Sequence, residues 1–506
     1  MRVSTLTLTT TLLAVASALP ASVELVDSTK LQPFITKEKL EAKVQELYAI
    51  AKRNNGTRDL GSSGAADTLD WIENNLPKDY YNIERQSFDV ERLVYDEVSI
   101  TVDGVSQEEV AKMFYNGNGK VSAPVVLAKN HGCNATDFPS DTAGKITIVR
   151  RGGECRFGES MSRAGKLGAA GFILWDNMPT LQKDTEGEYH TGWVAPASDY
   201  NITEYPVSVL VGHSVVQAMV DNYQLEKGAS RVNVTIACRW HNEVQKGYNI
   251  IATTKGGDQN AIITVGAHTD SVEAGPGIND NGSGTIAQIE VANALSKFSV
   301  KNAVRFCFWS GEELGLLGSQ HYTAHLSDAE AAKIVMNLDF DMLASPNYIY
   351  SVYASGSNFK FKTPQSRAGS DMIAGVFKDF FKESGDIPNL PTEFDGRSDY
   401  AGFLDRGIPA SGVYTGAEKI KTEEEARLFG GEAGKPYDPC YHQACDDDTN
   451  INYEAFVVGV KSVAFSVGKF GGSTEGFPFP RPTNATLPAT RRLSKRESSA
   501  PLILVD

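Results

Sequence analysis

The sequence predicts an α/β fold: a mostly parallel central sheet flanked by helices, with a smaller β-rich unit inserted ahead of most of it. Two observations carry this prediction. From Tyr248 onward, strand-like and helix-like segments alternate, the pattern that builds a parallel sheet covered by helices. Between about residues 93 and 240 the chain instead reads as short apolar runs punctuated by Gly and Pro. With 506 residues, 41% of them apolar, it is long enough to bury more than one core.

In order along the chain, residues 1–18 read as a secretory signal: Arg2, then an apolar, Thr-rich run through Leu12, Leu13 and Val15, then the small-x-small cleavage pattern Ala16-Ser17-Ala18. A propeptide is expected at 19–30. Residues 31–92 form the N-terminal part of the main domain, with helices predicted over 37–52, from the spacing of Leu40, Val44, Leu47, Tyr48 and Ala51, and over 63–76. The smaller unit, 93–240, carries strand-like runs at 98–102, 123–127 and 145–149 and a helix at 158–167. In the main domain, 241–472, strands are predicted at 249–254, 261–266, 304–309, 334–340 and 348–353, with helices at 283–298 and 318–326. The tail 473–506 is rich in Pro, Ser, Thr and basic residues, including Arg491-Arg492 and Lys495-Arg496, and reads as disordered. After the signal no stretch approaches the roughly 20 apolar residues of a membrane span, so no membrane anchor is expected.

A formal net charge of -15 argues against nucleic acid as a partner. Glycosylation triplets at Asn55, Asn134, Asn201, Asn233 and Asn484, together with six cysteines, favour an oxidising compartment outside the cytosol. Cys133 with Cys155, and Cys440 with Cys445, are close enough in sequence to pair locally. Cys307 sits inside an apolar run and reads as a buried thiol, whereas Cys238 has no evident partner. The triplet at Asn281 is expected to be buried and unmodified.

The chemistry gathers at strand ends. The run 262–270 delivers His268 and Asp270 at the end of an apolar strand, where Asp270 is placed to support a metal-binding imidazole. Ten residues on, Asp280 stands in a glycine-rich segment, 275–284, in which Ser283 is a candidate helix cap. The next apolar strand runs into Glu312 and Glu313, adjacent acids that can divide labour, one binding metal and one accepting a proton from water. Asp339 and Asp341 follow on one side of another apolar strand, and either can serve as a ligand. His442 and Tyr441 lie between Cys440 and Cys445. Two histidines and at least three carboxylates on one rim suit zinc, and the surplus of carboxylate points to two ions sharing an acid.

These segments resemble the co-catalytic zinc aminopeptidases, in particular the fungal branch of aminopeptidase Y and secreted leucine aminopeptidases. The resemblance rests on 267–272, 275–284, 311–319, 340–342 and 440–442 in family order. It implies that His268 and Asp341 hold one zinc, that Glu313 and His442 hold the other, and that Asp280 bridges two Zn²⁺ per chain. It further implies Glu312 as general base, Asp270 as the group orienting His268, and Tyr441 as donor to the oxyanion. Asp341 is thereby selected over Asp339. Arg397, in the segment 395–399, is implied to contact the bound peptide, and Glu393 is a candidate for the substrate ammonium. The middle unit resembles a protease-associated domain. The implied activity is release of leucine-like residues from peptides with a free N-terminus, by a monomer that is secreted or delivered to a vacuole. A carboxypeptidase on the same scaffold, or a metal-free receptor-like binding protein, are the alternatives.

Overall fold

The computed structural model describes residues 23–113, 116–152, 155–176, 197–227, 232–356 and 359–477. The signal at 1–18, Asn484 and the dibasic pairs lie outside the described residues.

The central sheet has a core of four parallel strands: Asn302–Trp309, Asp258–His268, Ile334–Phe340 and Ala410–Tyr414, in that spatial order. Residues 261–268 and all of Ile334–Phe340 are buried, as strands covered on both faces must be. Short strands Ser351–Tyr353 and Leu390–Thr392 complete one edge. The expected strand at 249–254 is the end of a far longer one, Asn233–Thr254, and it runs antiparallel to Asn302–Trp309.

That long strand pairs along its length with Tyr81–Val102, from Tyr81 opposite Thr254 to Val102 opposite Val234. The two-stranded ribbon so formed links the central sheet to the smaller unit, where Asn233–Cys238 also pairs with Gly119–Pro124. The smaller unit is less purely β than its sequence reads. Its strands Gly119–Leu127, Ile146–Arg150, Gly171–Trp175 and Val207–Val211 are mutually parallel, with helix Phe157–Lys166 as a crossover and a second helix, His213–Tyr223, after the last strand.

Helix Gly284–Leu295 is buried almost all round, and helix Tyr453–Gly472 packs against it. The second helix corrects the expectation that nothing after the signal reaches span length. Its 20 residues are long and apolar enough to cross a membrane, but most of them are buried in the protein core. Residues 23–30 also pack on the body, with the Val26 amide donating to Ser299 and Val26 itself buried. The helices Lys37–Arg53 and Ser63–Asn75 fall where periodicity places them, the latter capped by Ser62.

Cys133–Cys155 and Cys440–Cys445 are disulfides, while Cys238 and Cys307 are buried free thiols. Asn55, Asn134, Asn201 and Asn233 are exposed, and Asn281 is fully buried.

Candidate metal centre

Three parallel strands end on one rim and deliver His268, the turn following Trp309, and Asp341, which follows Phe340. The Nε2 atom of His268 faces three acids at once: Asp280 Oδ1 at 3.2 Å, Asp341 Oδ1 at 3.5 Å and Glu312 Oε2 at 4.0 Å. The other oxygen of Asp280 lies 3.2 Å from His442 Nε2, which in turn is 3.0 Å from Glu313 Oε2. One carboxylate therefore stands between two imidazoles, each with a further acid at its side.

The loops that hold these groups are fixed by polar contacts to backbone. Both oxygens of Asp270 accept amide hydrogen bonds, Oδ1 from Glu312 and Oδ2 from Glu313, each at 3.3 Å. Asp270 thus sets the turn that carries both glutamates. Its own carbonyl faces His268 Nδ1 at 3.2 Å, closer than its carboxylate at 3.7 Å. Carbonyl oxygen only accepts, so Nδ1 carries a proton, and once the ring is neutral it is Nε2 that presents a lone pair to the cluster.

Asp280 is placed by a residue with no assigned role in the sequence reading. Asp446 accepts from the amides of Asn279 (2.9 Å) and Asp280 (3.0 Å), tying this turn to the disulfide loop that bears His442. Asp438 takes the Asn279 side chain at 2.7 Å. Gly275 allows the close approach of the two loops, because a Cβ there would lie 2.2 Å from the Gln443 carbonyl oxygen. On the other side, Asn281 donates to the Phe340 carbonyl and accepts from the amides of Gly284 and Met342. Ser283 does not cap the following helix as its position suggested. It already has helical dihedrals, and its hydroxyl instead donates to Asn279 and accepts from Leu343.

Arg58, also missed, is the largest such element. It is 0% exposed and forms no ion pair among the described residues, yet its guanidinium donates to the carbonyls of Thr269, Pro276 (2.8 Å) and Gly277 (2.6 Å). It staples the loop from His268 to Asp280. Burial pushes its pKa down to about 10, while Asp270, Asp446, Asp280 and Glu313 act in the opposite sense.

Of the two acids on the strand ending at Phe340, it is Asp341 whose oxygen faces His268, while its Oδ2 accepts from Ser398 at 2.8 Å. Asp339 is buried. Burial and the neighbouring Asp399 and Asp341 raise its pKa well above the carboxylate range. Tyr441 stacks on His442 with ring centroids 3.8 Å apart, and its hydroxyl oxygen accepts from Arg397 at 3.0 Å. Arg397 also pairs with Glu418 at 2.9 Å. Glu393 is exposed and lies against Gly356, so the acid beside Arg397 is Glu418.

Burial opposes charge on both histidines, but the surrounding acids override it. Asp341 and Glu312 raise His268 well above its ordinary value, and Glu313 and Asp280 bring His442 up to about 10. Burial pushes Asp280 upward, yet the two imidazoles hold it well below the carboxylate range. Burial raises Glu312 well above that range, opposed by His268 and reinforced by Glu313 and Asp341. Such a cluster asks for cations. His268 Nε2, Glu313 Oε1 and Asp341 Oδ1 are buried without a hydrogen-bond partner among the described residues. Their nitrogen and oxygen donors are those that zinc takes. The residues present fit a metal.

Residues 249–464 match the model of peptidase family M28, and residues 121–218 match the PA domain. Leucine aminopeptidase 2 of Arthroderma otae is 40% identical over 94% of this chain and 92% of its own. Leucine aminopeptidase 2 of Trichophyton rubrum is 38% identical over 90% and 88%. Among solved structures, an aminopeptidase from Aneurinibacillus sp. has a TM-score of 0.63 at 24% identity, covering 90% of this chain and 98% of that one. A zinc aminopeptidase from Bacillus subtilis has a TM-score of 0.62 at 22% identity, covering 87% and 96%. Both share the fold. Relatedness at this level over most of both sequences settles the family: the chain belongs to peptidase family M28 and is a hydrolytic aminopeptidase with a PA domain.

Proposed function

We propose that this aminopeptidase is a secreted enzyme that uses two zinc ions to release leucine-like, apolar residues from peptides with a free N-terminus. The observation that carries the reading is Asp280, whose two oxygens each lie 3.2 Å from a different imidazole, as a carboxylate shared between two ions requires. His268 and Asp341 would hold one ion, and Glu313 and His442 the other. When bound, the ions supply Lewis acidity at the scissile carbonyl and lower the pKa of water in the site.

The chain's own residues do the remaining work. Glu312 takes the proton of the attacking water and returns it to the leaving amine. Its burial beside other acids makes it basic enough for that task. Tyr441 donates its hydroxyl hydrogen to the developing oxyanion, and that hydrogen is free because the phenol oxygen accepts from Arg397. Asp270 holds the turn on which Glu312 stands. Arg397 contacts the peptide at the same edge, with Glu393 as the sequence's candidate for the ammonium. The Glu418 pair at 2.9 Å occupies Arg397, which disfavours a carboxypeptidase role for it. The preference for leucine is supported by the names of the relatives, and secretion by the N-terminal run, the two disulfides and the four exposed triplets. The enzyme is proposed to act as a monomer.

Purified protein should retain about two zinc ions per chain and cleave a leucine reporter but not its N-acetylated form. Cleavage of an N-acetylated peptide that ends in a free carboxylate would establish the carboxypeptidase. Zinc-free protein that added zinc does not activate would establish a binding protein instead.

A further inference from the structure

Away from the catalytic rim, the helix Leu317–His325 carries two histidines one turn apart, His321 and His325. Their ring centroids are 4.1 Å apart with planes inclined by 32°. Residues four apart share a helix face, and two histidines at this spacing form a metal-binding pair.

Both rings are already positioned. The Nδ1 of His325 lies 2.7 Å from the carbonyl oxygen of His321. A carbonyl only accepts, so in neutral His325 the proton is on Nδ1 and Nε2 presents a lone pair. Donation of one ring N–H to a backbone carbonyl is the arrangement that orients a metal-ligating histidine. His321 is held from the other side by Phe88, stacked at 5.3 Å and 26°, and Phe88 is itself buried. No hydrogen bond occupies either ring nitrogen of His321 among the described residues. Burial and the adjacent His325 lower the His321 pKa, against Asp89, which keeps the ring available as a neutral ligand.

A cleft of about 540 Å³ opens beside His325. It contains Glu84 and Glu330 but also Arg305 and Lys333, so its charges balance and attraction for a cation rests on the imidazole nitrogens. Such donors select borderline ions, Cu²⁺, Ni²⁺ or Zn²⁺, over Mg²⁺ or Ca²⁺. Hydrolytic helices of this spacing place Glu directly after the first histidine. Here that position is Tyr322, whose hydroxyl accepts from Arg305 at 2.6 Å.

We propose that His321 and His325 form a second, non-catalytic site for a divalent transition-metal ion, which clamps the last turn of the helix following the Glu312–Glu313 turn. The test is equilibrium dialysis of Cu²⁺ into the zinc-loaded enzyme, read also by electron paramagnetic resonance for nitrogen superhyperfine structure. His321→Ala and His325→Ala should each weaken Cu²⁺ uptake by about tenfold or more, with zinc content and peptidase turnover unchanged. His241→Ala, at an exposed histidine paired with Asp96, should leave uptake intact. Uptake by either His321→Ala or His325→Ala within about twofold of the parent would overturn the proposal.

Discussion

Replacing Arg58 by Met should loosen the metal centre without touching a metal ligand. The guanidinium donates three hydrogen bonds to buried carbonyls, those of Thr269, Pro276 and Gly277. A hydrogen bond to a charged group is worth about 1.5–3 kcal/mol, so the three together represent about 5–9 kcal/mol. Against this stands the cost of burying the charge. A pKa lowered from 12.5 to about 10 corresponds to about 3 kcal/mol, which the neutral side chain recovers. The net loss is therefore about 2–6 kcal/mol, concentrated in the loop that runs from His268 to Asp280. Thermal unfolding with excess chelator should show this as a Tm lower by several degrees. In zinc competition titrations the variant should bind about 10–100-fold more weakly, as expected for a group supporting the ligand loop from behind. A variant with the parental Tm under chelator and the parental zinc affinity would refute the assignment of Arg58 as the staple.

Glu312→Gln should keep both ions, since Glu312 is the proposed base and not a proposed ligand, while lowering kcat by about 10²–10⁴ on a leucine reporter. Zinc loading should release protons: His442, at about 10 in the metal-free cluster, is protonated at pH 7 and must lose that proton to bind. Calorimetry of zinc binding in buffers of different ionisation enthalpy measures the number released. The same raised pKa stabilises the metal-free fold fully below pH 6.5, and this contribution is lost as pH rises through about 10, which chelator-treated Tm against pH will show. Neither Cys307, whose thiol is pushed up to about 12 by burial, nor Cys238 should react with a thiol reagent at pH 8 until the protein is unfolded.

The strands that carry the site were legible because each is a largely apolar run that leads into an acid or a histidine, a combination costly to bury without a purpose. The early helices were legible through the spacing of residues such as Leu40, Val44 and Leu47, all of them buried. The ribbon was not. Its residues His241 to Val244 are exposed, so nothing alternates between core and solvent, and the pairing that makes them a strand lies with residues about 150 positions earlier. Arg58 and Asp446 escaped notice for a related reason. Each bonds to backbone groups far away in sequence, and backbone carries no residue signature. Ser283 misled because a serine before a helix fits a cap only if its own backbone is extended, and here Ser283 itself already has helical dihedrals.

The electrostatics of the rim explain why so much of the chain is committed to holding it. His268 and His442 face Asp280, Glu312, Glu313 and Asp341, so four acids are buried with two imidazoles, and even two protonated rings leave carboxylate in excess. Such an assembly does not stabilise a fold on its own. It persists because the surrounding framework fixes it: Asp270 grips one turn, Asp446 another, and Arg58 the loop between the first histidine and the shared acid. Cations that enter meet donors already in place and relieve the repulsion among them, so binding energy is not consumed in ordering the loops. The framework is therefore the source of both metal affinity and catalytic geometry, and a substitution that releases one of these three anchors should weaken both together.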